Sequence, residues 1–284
     1  MIRLAENKDH LQLKALWNQV FGDSSSAIDF YFANRHQNQN MLVYEENNVV
    51  AGMLTMLPVQ LVSGKQMRPG RYIYAVATAP EYRQRGISTQ LLLYCHSYMQ
   101  EKGETAAILA PASESLFAFY EKRGYQTMFY VESSTFLSSG LPSCPSGAIC
   151  TPCNAADYFR IRDTAFSDSS LFVRWGEDAL DYIIKGARAF GDDVYYIRTQ
   201  TGEGCAVCGW LGRQIFIRET ALVNISITEA LSILQRTLGA AKYSLRLPIG
   251  SLQGSTPQPF GMIHYLCDVP KSTGKPPYLS LILD

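Results

Sequence analysis

The residues best suited to chemistry lie in Pro80-Glu81-Tyr82-Arg83-Gln84-Arg85-Gly86-Ile87-Ser88. Residues 72–78 before this run read as a strand, and residues 87–102 after it read as a helix. A glycine turn that closes a strand and opens a helix gathers unpaired backbone N–H groups at the positive end of the helix dipole. That arrangement binds phosphate without a charged side chain, and Arg83 and Arg85 suit a polyanion as well. A cofactor carrying a pyrophosphate is the expectation. A second helical stretch carries Tyr120 beside Phe117 and Phe119, seven residues after Ser113.

The elements that must position these residues follow from apolar spacing and turn residues. After a short strand at residues 1–5, Leu11, Leu13, Leu16, Trp17 and Val20 recur at helical intervals, and Ser24 to Ser26 offer a cap for a second helix. Residues 41–44 and 49–57 read as paired strands, 71–78 as a fourth strand, then the helix 87–102 stopped by Gly103. Residues 105–110 form a further strand, Ser113 opens a helix to Arg123, and 126–137 read as strand again. The order β-α-α-β-β-β-α-β-α-β predicts an α/β class with a mixed sheet that holds a locally parallel pair.

Residues 138–151 are rich in Ser, Pro and Gly and read as a linker. Helices at 154–166, 177–190 and 227–238 alternate beyond it with strands at 194–199, 204–210, 214–221 and 243–247. The pattern of the first half recurs, with one difference at the entry to the last helix. Thr220-Ala-Leu-Val-Asn-Ile-Ser-Ile-Thr228 has neither glycine nor arginine, so one cofactor site per chain is expected.

The 284 residues suit two domains of about 140 residues each. Equal numbers of basic and acidic residues, 25 of each, give no global field to attract nucleic acid or an anionic membrane. The first residues lack an apolar signal-peptide core, which predicts a soluble, cytoplasmic chain. Seven cysteines, an odd number, point to reduced thiols. Cys150 with Cys153, and Cys205 with Cys208, have zinc-ligand spacing, but side chains three apart on a regular strand face opposite ways unless a bulge re-aims one. No metal is expected.

Val76-Ala-Thr-Ala-Pro-Glu-Tyr-Arg-Gln-Arg-Gly-Ile-Ser88 and Pro111-Ala-Ser-Glu-Ser-Leu-Phe-Ala-Phe-Tyr-Glu-Lys-Arg-Gly-Tyr125 together resemble the GNAT superfamily of acyl-CoA-dependent N-acetyltransferases. The first 137 residues follow that family's element order, and the whole chain resembles its tandem arrangement, in which a degenerate second domain follows the catalytic one. Bacterial enhanced-intracellular-survival acetyltransferases are similar over this span and carry a further C-terminal domain, for which no room is expected here. The resemblance implies a catalytic domain at residues 1–140, a linker at 141–152 and a degenerate GNAT-like domain without the cofactor motif at 153–284.

It further implies acetyl-CoA as co-substrate and transfer of its acetyl group to a primary amine of a small molecule or peptide by direct attack. The backbone of Val76, Ala77 and Thr78 would pair with the pantetheine arm, and N–H groups of Gln84, Arg85, Gly86, Ile87, Ser88 and Thr89 would hold the pyrophosphate. Ser88 stands at a position that the family usually fills with Gly or Ala. Tyr120 would donate a proton to the departing thiolate. Ser113 stands where many relatives have asparagine, and either contact with CoA or helix capping accounts for it.

No general base is visible. His10, His36, His96 and His264 read as surface or helix filler, and in the survival-type relatives the terminal carboxylate, here that of Asp284, reaches the active site. A non-catalytic acyl-CoA sensor or partner-docking module is the alternative reading. The second domain is expected to wall the acceptor cleft. Acceptor identity, acyl-chain preference and oligomeric state, a homo-oligomer included, stay open.

Overall fold

Hydrophobic alternation in the strands and a four-residue apolar rhythm in the helices sort the chain into two units, each built on a mixed sheet. The computed structural model describes residues 1–252, 254–268 and 273–282. One unit comprises residues 1–61, 67–127 and 261–270, and the other residues 62–66, 128–260 and 271–284.

The first unit contains β1 (Ile2–Leu4), α1 (His10–Phe21), α2 (Ser25–Asn34), β2 (Met41–Glu46), most of β3 (Val49–Ser63) and β4 (Gln66–Thr78), α3 (Ile87–Glu101), β5 (Ala106–Leu109) and α4 (Glu114–Glu121). Its sheet runs β1-β2-β3-β4-β5 and ends on a strand from far along the chain, residues 261–265. That last strand pairs antiparallel with β5, setting Met262 opposite Leu109 and Tyr265 opposite Ala106. β4 and β5 are parallel. α3 buries Ile87, Leu91, Leu92, Cys95 and Met99, one side of the helix, in a core shared with Leu54, Ile73, Ala107 and Tyr125. Gly52 permits this approach, since a Cβ there would fall 2.7 Å from Cγ2 of Ile87. Such burial, at about 25 cal/mol per Å² of apolar surface, is what fixes the helix on the sheet.

The second unit contains most of β6 (Gln126–Leu137), then β7 (Ile149–Pro152), α5 (Ala155–Ala165), β8 (Phe172–Arg174), α6 (Glu177–Ala189), β9 (Asp193–Arg198), β10 (Glu203–Leu211), β11 (Gln214–Val223), α7 (Ile227–Leu238), β12 (Lys242–Pro248) and the start of β13 (Gln258–Tyr265), whose remainder is the far strand of the first unit. Its sheet runs β6-β12-β11-β10-β9-β7. β11 and β12 are parallel, as the intervening helix α7 requires.

The linker reading of residues 141–152 needs correction at its end, because β7 pairs with β9 and places Cys150 opposite Ile197. Residues 258–265, unassigned from sequence, are the strand β13. β3 and β4 also extend well past the predicted 57 and before the predicted 71.

Candidate active site

β4 and β5 pair at only two positions, Arg71 with Ala107 and Tyr72 with Ile108. β4 nevertheless continues to Thr78, so its last six residues run on past the pairing with β5. Within that stretch Ala75 has φ +50°, a left-handed backbone that interrupts the strand's alternation and costs a non-glycine residue about 1–2 kcal/mol. The chain then makes a short turn at Pro80–Tyr82 and two further left-handed residues, Gln84 at φ +65° and Gly86 at φ +75°.

Gly86 is the N-cap of α3 and supplies no side-chain cap, and the first turn holds no acidic residue. Gln90 is the first amide to reach a carbonyl of the helix, that of Gly86 at 3.0 Å. The amides of Ile87, Ser88 and Thr89 therefore head the helix as intrahelical orphans, at the positive end of its dipole. A Cβ at Gly86 would meet nothing closer than 3.9 Å, so the glycine answers the backbone angle and not crowding. Gln84, Arg85 and Gly86 are exposed, Val76, Thr78, Ser88 and Thr89 half-buried, and Ala77 and Ile87 buried.

Side chains brace this turn. The hydroxyls of Thr78 and Ser88 share a hydrogen bond of 2.8 Å. Arg83 Nε donates to the Thr78 carbonyl at 3.4 Å. Arg85 lies over the Tyr82 ring, 4.9 Å from its centroid, with Nη1 3.3 Å from a Glu46 carboxylate oxygen.

Tyr120 occupies α4, is 8% exposed, and packs edge-on to Phe119 and Tyr125 with centroid separations of 5.1 and 5.6 Å. Burial pushes its phenol up to about 12, an effect the nearby Arg123 guanidinium opposes. Arg123 was not singled out from the sequence, though its place three residues after Tyr120 was a readable signal. It donates from Nε and Nη2 to Thr89 Oγ1 at 3.0 and 2.6 Å, and from Nη1 to the Phe119 carbonyl at 2.5 Å. Ser113 is the N-cap of α4 by backbone position, but its hydroxyl meets that of Ser115 at 3.1 Å and caps no amide.

Two histidines are not filler. His96 Nε2 lies 3.0 Å from the Tyr125 hydroxyl, and its ring stacks on His264 at 4.2 Å. Desolvation, and then His264, hold His96 down at about 4. His10 and His36 both approach Asn38 Oδ1 at 2.9 Å. Asp284, expected to carry a terminal carboxylate into the site, lies outside the described residues.

Among the cysteines, the register shift at Val207 and Cys208 skips Arg218 of β11, while β10 itself stays regular against β9 and Cys205 and Cys208 face opposite ways. Cys205 faces Cys153 with sulfurs 3.3 Å apart, whereas Cys150 and Cys208 join the separate core under α7. Among the described residues no three metal-ligating side chains converge.

Residues 1–128 match the family model described as an acetyltransferase (GNAT) domain. The fold is shared with a GCN5-related N-acetyltransferase from Anabaena variabilis at TM-score 0.78 and 17% identity, covering 94% of this chain and 73% of that one. An Enterococcus faecalis protein of unknown function, a probable N-acyltransferase, follows at TM-score 0.73 and 15% identity, over 94% and 72% of the two chains. Eis1 from Mycobacterium abscessus gives TM-score 0.70 and 14% identity, over 94% and 74%. No curated protein matches the chain. Among the described residues no helix is long and apolar enough to cross a membrane.

Proposed function

We propose, from an N-terminal region that matches a GNAT acetyltransferase domain model over residues 1–128, that the protein moves the acetyl group of acetyl-CoA to a primary amine by direct attack. The observation that carries this reading is the parting of β4 from β5 after Tyr72, followed by a left-handed turn that presents the first amides of α3.

The residues fit the co-substrate in two ways. The backbone of Val76, Ala77 and Thr78 lies beyond the β5 pairing, so an amide-bearing arm can add to it as a strand would. The orphan amides of Ile87, Ser88 and Thr89, with Gln84, Arg85 and Gly86 in the turn before them, suit a pyrophosphate. Bound there, acetyl-CoA supplies the activated acyl group. Holding thioester and amine together accounts for much of the acceleration. The strained backbone at Ala75 suits a polarising N–H, and such a preset donor typically contributes about 10²–10³ in rate. Tyr120 holds its proton at neutral pH and delivers it to the departing sulfur.

The second unit is read as a degenerate copy without a cofactor seat. Its β11 and β12 likewise part after Ile217 and Leu245. However, Ser280 bridges the opening, its hydroxyl donating to the Arg218 carbonyl and its own carbonyl accepting from Arg246, each at 3.0 Å. At the start of α7, Glu229 Oε2 accepts from the Ser226 amide at 2.9 Å in a capping box, so a carboxylate already sits where phosphate would bind.

Calorimetric titration with acetyl-CoA, followed by thiol release across polyamines, aminoglycosides and amino acids, tests the reading. One binding event per chain and turnover with at least one amine are expected. Absence of any binding heat would sink it, whereas tight binding with no turnover on any amine would favour a coenzyme-sensing module.

A further inference from the structure

We infer that Arg123 is a positioning residue for acyl transfer, tethering α4 to the first turn of α3 and standing as counter-cation to the phenolate that Tyr120 leaves behind. This rests on Tyr120 as proton donor. In that step the Tyr120 O–H bond breaks, its proton forms an S–H bond on the departing thiolate, and the negative charge passes to the phenolic oxygen. Solvent then returns a proton to the phenolate. A phenol kept from water gives up its proton reluctantly, so a cation fixed beside it lowers the barrier.

Arg123 is anchored just past the end of α4. Two of its nitrogens converge on Thr89 Oγ1, and a third donates to the Phe119 carbonyl. The guanidinium carbon lies 3.4 Å from the centroid of the Phe119 ring. Its own amide bonds to the Tyr120 carbonyl at 2.9 Å, which extends the turn of α4 and puts residue 123 on the side of residue 120. A cation there also answers the negative end of the α4 dipole. Thr89 belongs to the turn proposed to grip the pyrophosphate, so a single guanidinium links the anion seat to the helix that carries the acid. Planar fork geometry is essential to this bridge, and lysine cannot reproduce it.

A double-mutant cycle between Arg123→Gln and Tyr120→Phe tests the inference. Arg123→Gln alone is expected to lower kcat about tenfold while KM for acetyl-CoA moves less than about threefold. In the Tyr120→Phe background the same substitution is expected to add less than about twofold, since no phenolate forms there. Arg123→Lys should recover part of kcat by restoring charge without the fork. Thr89→Val, which removes the anchor and leaves the cation, should cost several-fold in kcat and again nothing further beside Tyr120→Phe. Equal losses in both backgrounds, or an unchanged kcat for folded Arg123→Gln, would overturn the inference. A normal rate for Tyr120→Phe alone removes the acid itself and the role of Arg123 with it, while coenzyme binding still reports on the broader functional reading.

Discussion

The hydroxyl oxygens of Thr78 and Ser88 lie 2.8 Å apart, joining the last residue of β4 to the first turn of α3. The hydroxyl of Ser88 is spent on the strand. Ser88→Ala should therefore lose one partly exposed hydrogen bond, about 1 kcal/mol. Acetyl-CoA affinity is expected to change by less than about fivefold, with kcat unaffected, because the Ser88 amide remains. Calorimetry and steady-state kinetics on the variant check both, and a collapse of kcat would give the hydroxyl a chemical role.

Gly86 should respond more sharply. With φ +75° and an open surrounding, Gly86→Ala meets no clash but must hold alanine in a left-handed conformation, at about 1–2 kcal/mol. Any relaxation of that angle swings the amides of Ile87 and Ser88 off their shared target. Coenzyme affinity is expected to fall at least about tenfold, while melting temperature falls by only a few degrees. Equal affinity for Gly86→Ala and the native protein would dissociate the turn from phosphate binding.

Local signals in the sequence located the turn and helices that carry the proposed site residues, and distant pairing supplied the strands beside them. The glycine turn, the helix from Ile87 and the placement of Tyr120 follow from spacing within about fifteen residues, where turn chemistry and helical period act directly. The strand at residues 258–265 escaped because its partner β5 lies some 150 positions earlier, and nothing in Gln258-Pro-Phe-Gly-Met-Ile-His-Tyr265 alternates cleanly. His96 consequently read as helix filler, since the ring that stacks on it, His264, comes from that strand. The left-handed backbone at Ala75 had no signal at all, because alanine does not advertise positive φ.

His96 predicts an acid limb in stability. Its neutral ring is 7% exposed and lies 3.0 Å from the Tyr125 hydroxyl, with burial holding it down at about 4 from an ordinary 6.5. A histidine depressed on folding binds its proton more tightly in the unfolded chain. Its stabilising contribution is therefore complete above about 6.5 and fades as pH falls toward 4, by on the order of 3 kcal/mol. His96→Gln should flatten the denaturation midpoint between those values in urea titrations, at some cost in overall stability. An unchanged slope would place the acid sensitivity elsewhere.

Tyr120→Phe tests the proton donor directly. Removal of a positioned acid costs about 10²–10⁴ in rate, and a loss of at least about tenfold is expected here. Acetyl-CoA affinity should hold, since the ring and its contacts with Phe119 and Tyr125 survive. With the phenol held up at about 12, Tyr120 stays protonated well above neutral pH. The native rate should accordingly show no alkaline decline below about pH 10 that disappears in Tyr120→Phe. Near-normal turnover of the variant would leave the residue as core packing.

Arg162 and Glu219 set the sharpest stability test in the second unit. Both are buried, Arg162 1% and Glu219 0% exposed, with Nε to Oε2 at 2.7 Å and Nη2 to Oε1 at 3.1 Å. Tyr158 and Tyr278 also donate to the same carboxylate, at 2.5 and 2.9 Å. Every polar group of the cluster therefore depends on one carboxylate, and Tyr278 ties the segment after residue 273 into it. Arg162→Met strands a buried negative charge and is expected to cost about 3–5 kcal/mol, read as a lowered urea midpoint. Adding Glu219→Gln should recover part of that loss, because the amide is neutral and its oxygen still accepts from a tyrosine. Mutual rescue of this kind separates charge compensation from simple packing. If the double variant is instead as unstable as the sum of its parts, the carboxylate is acting through shape and its tyrosine bonds rather than through its charge on Arg162.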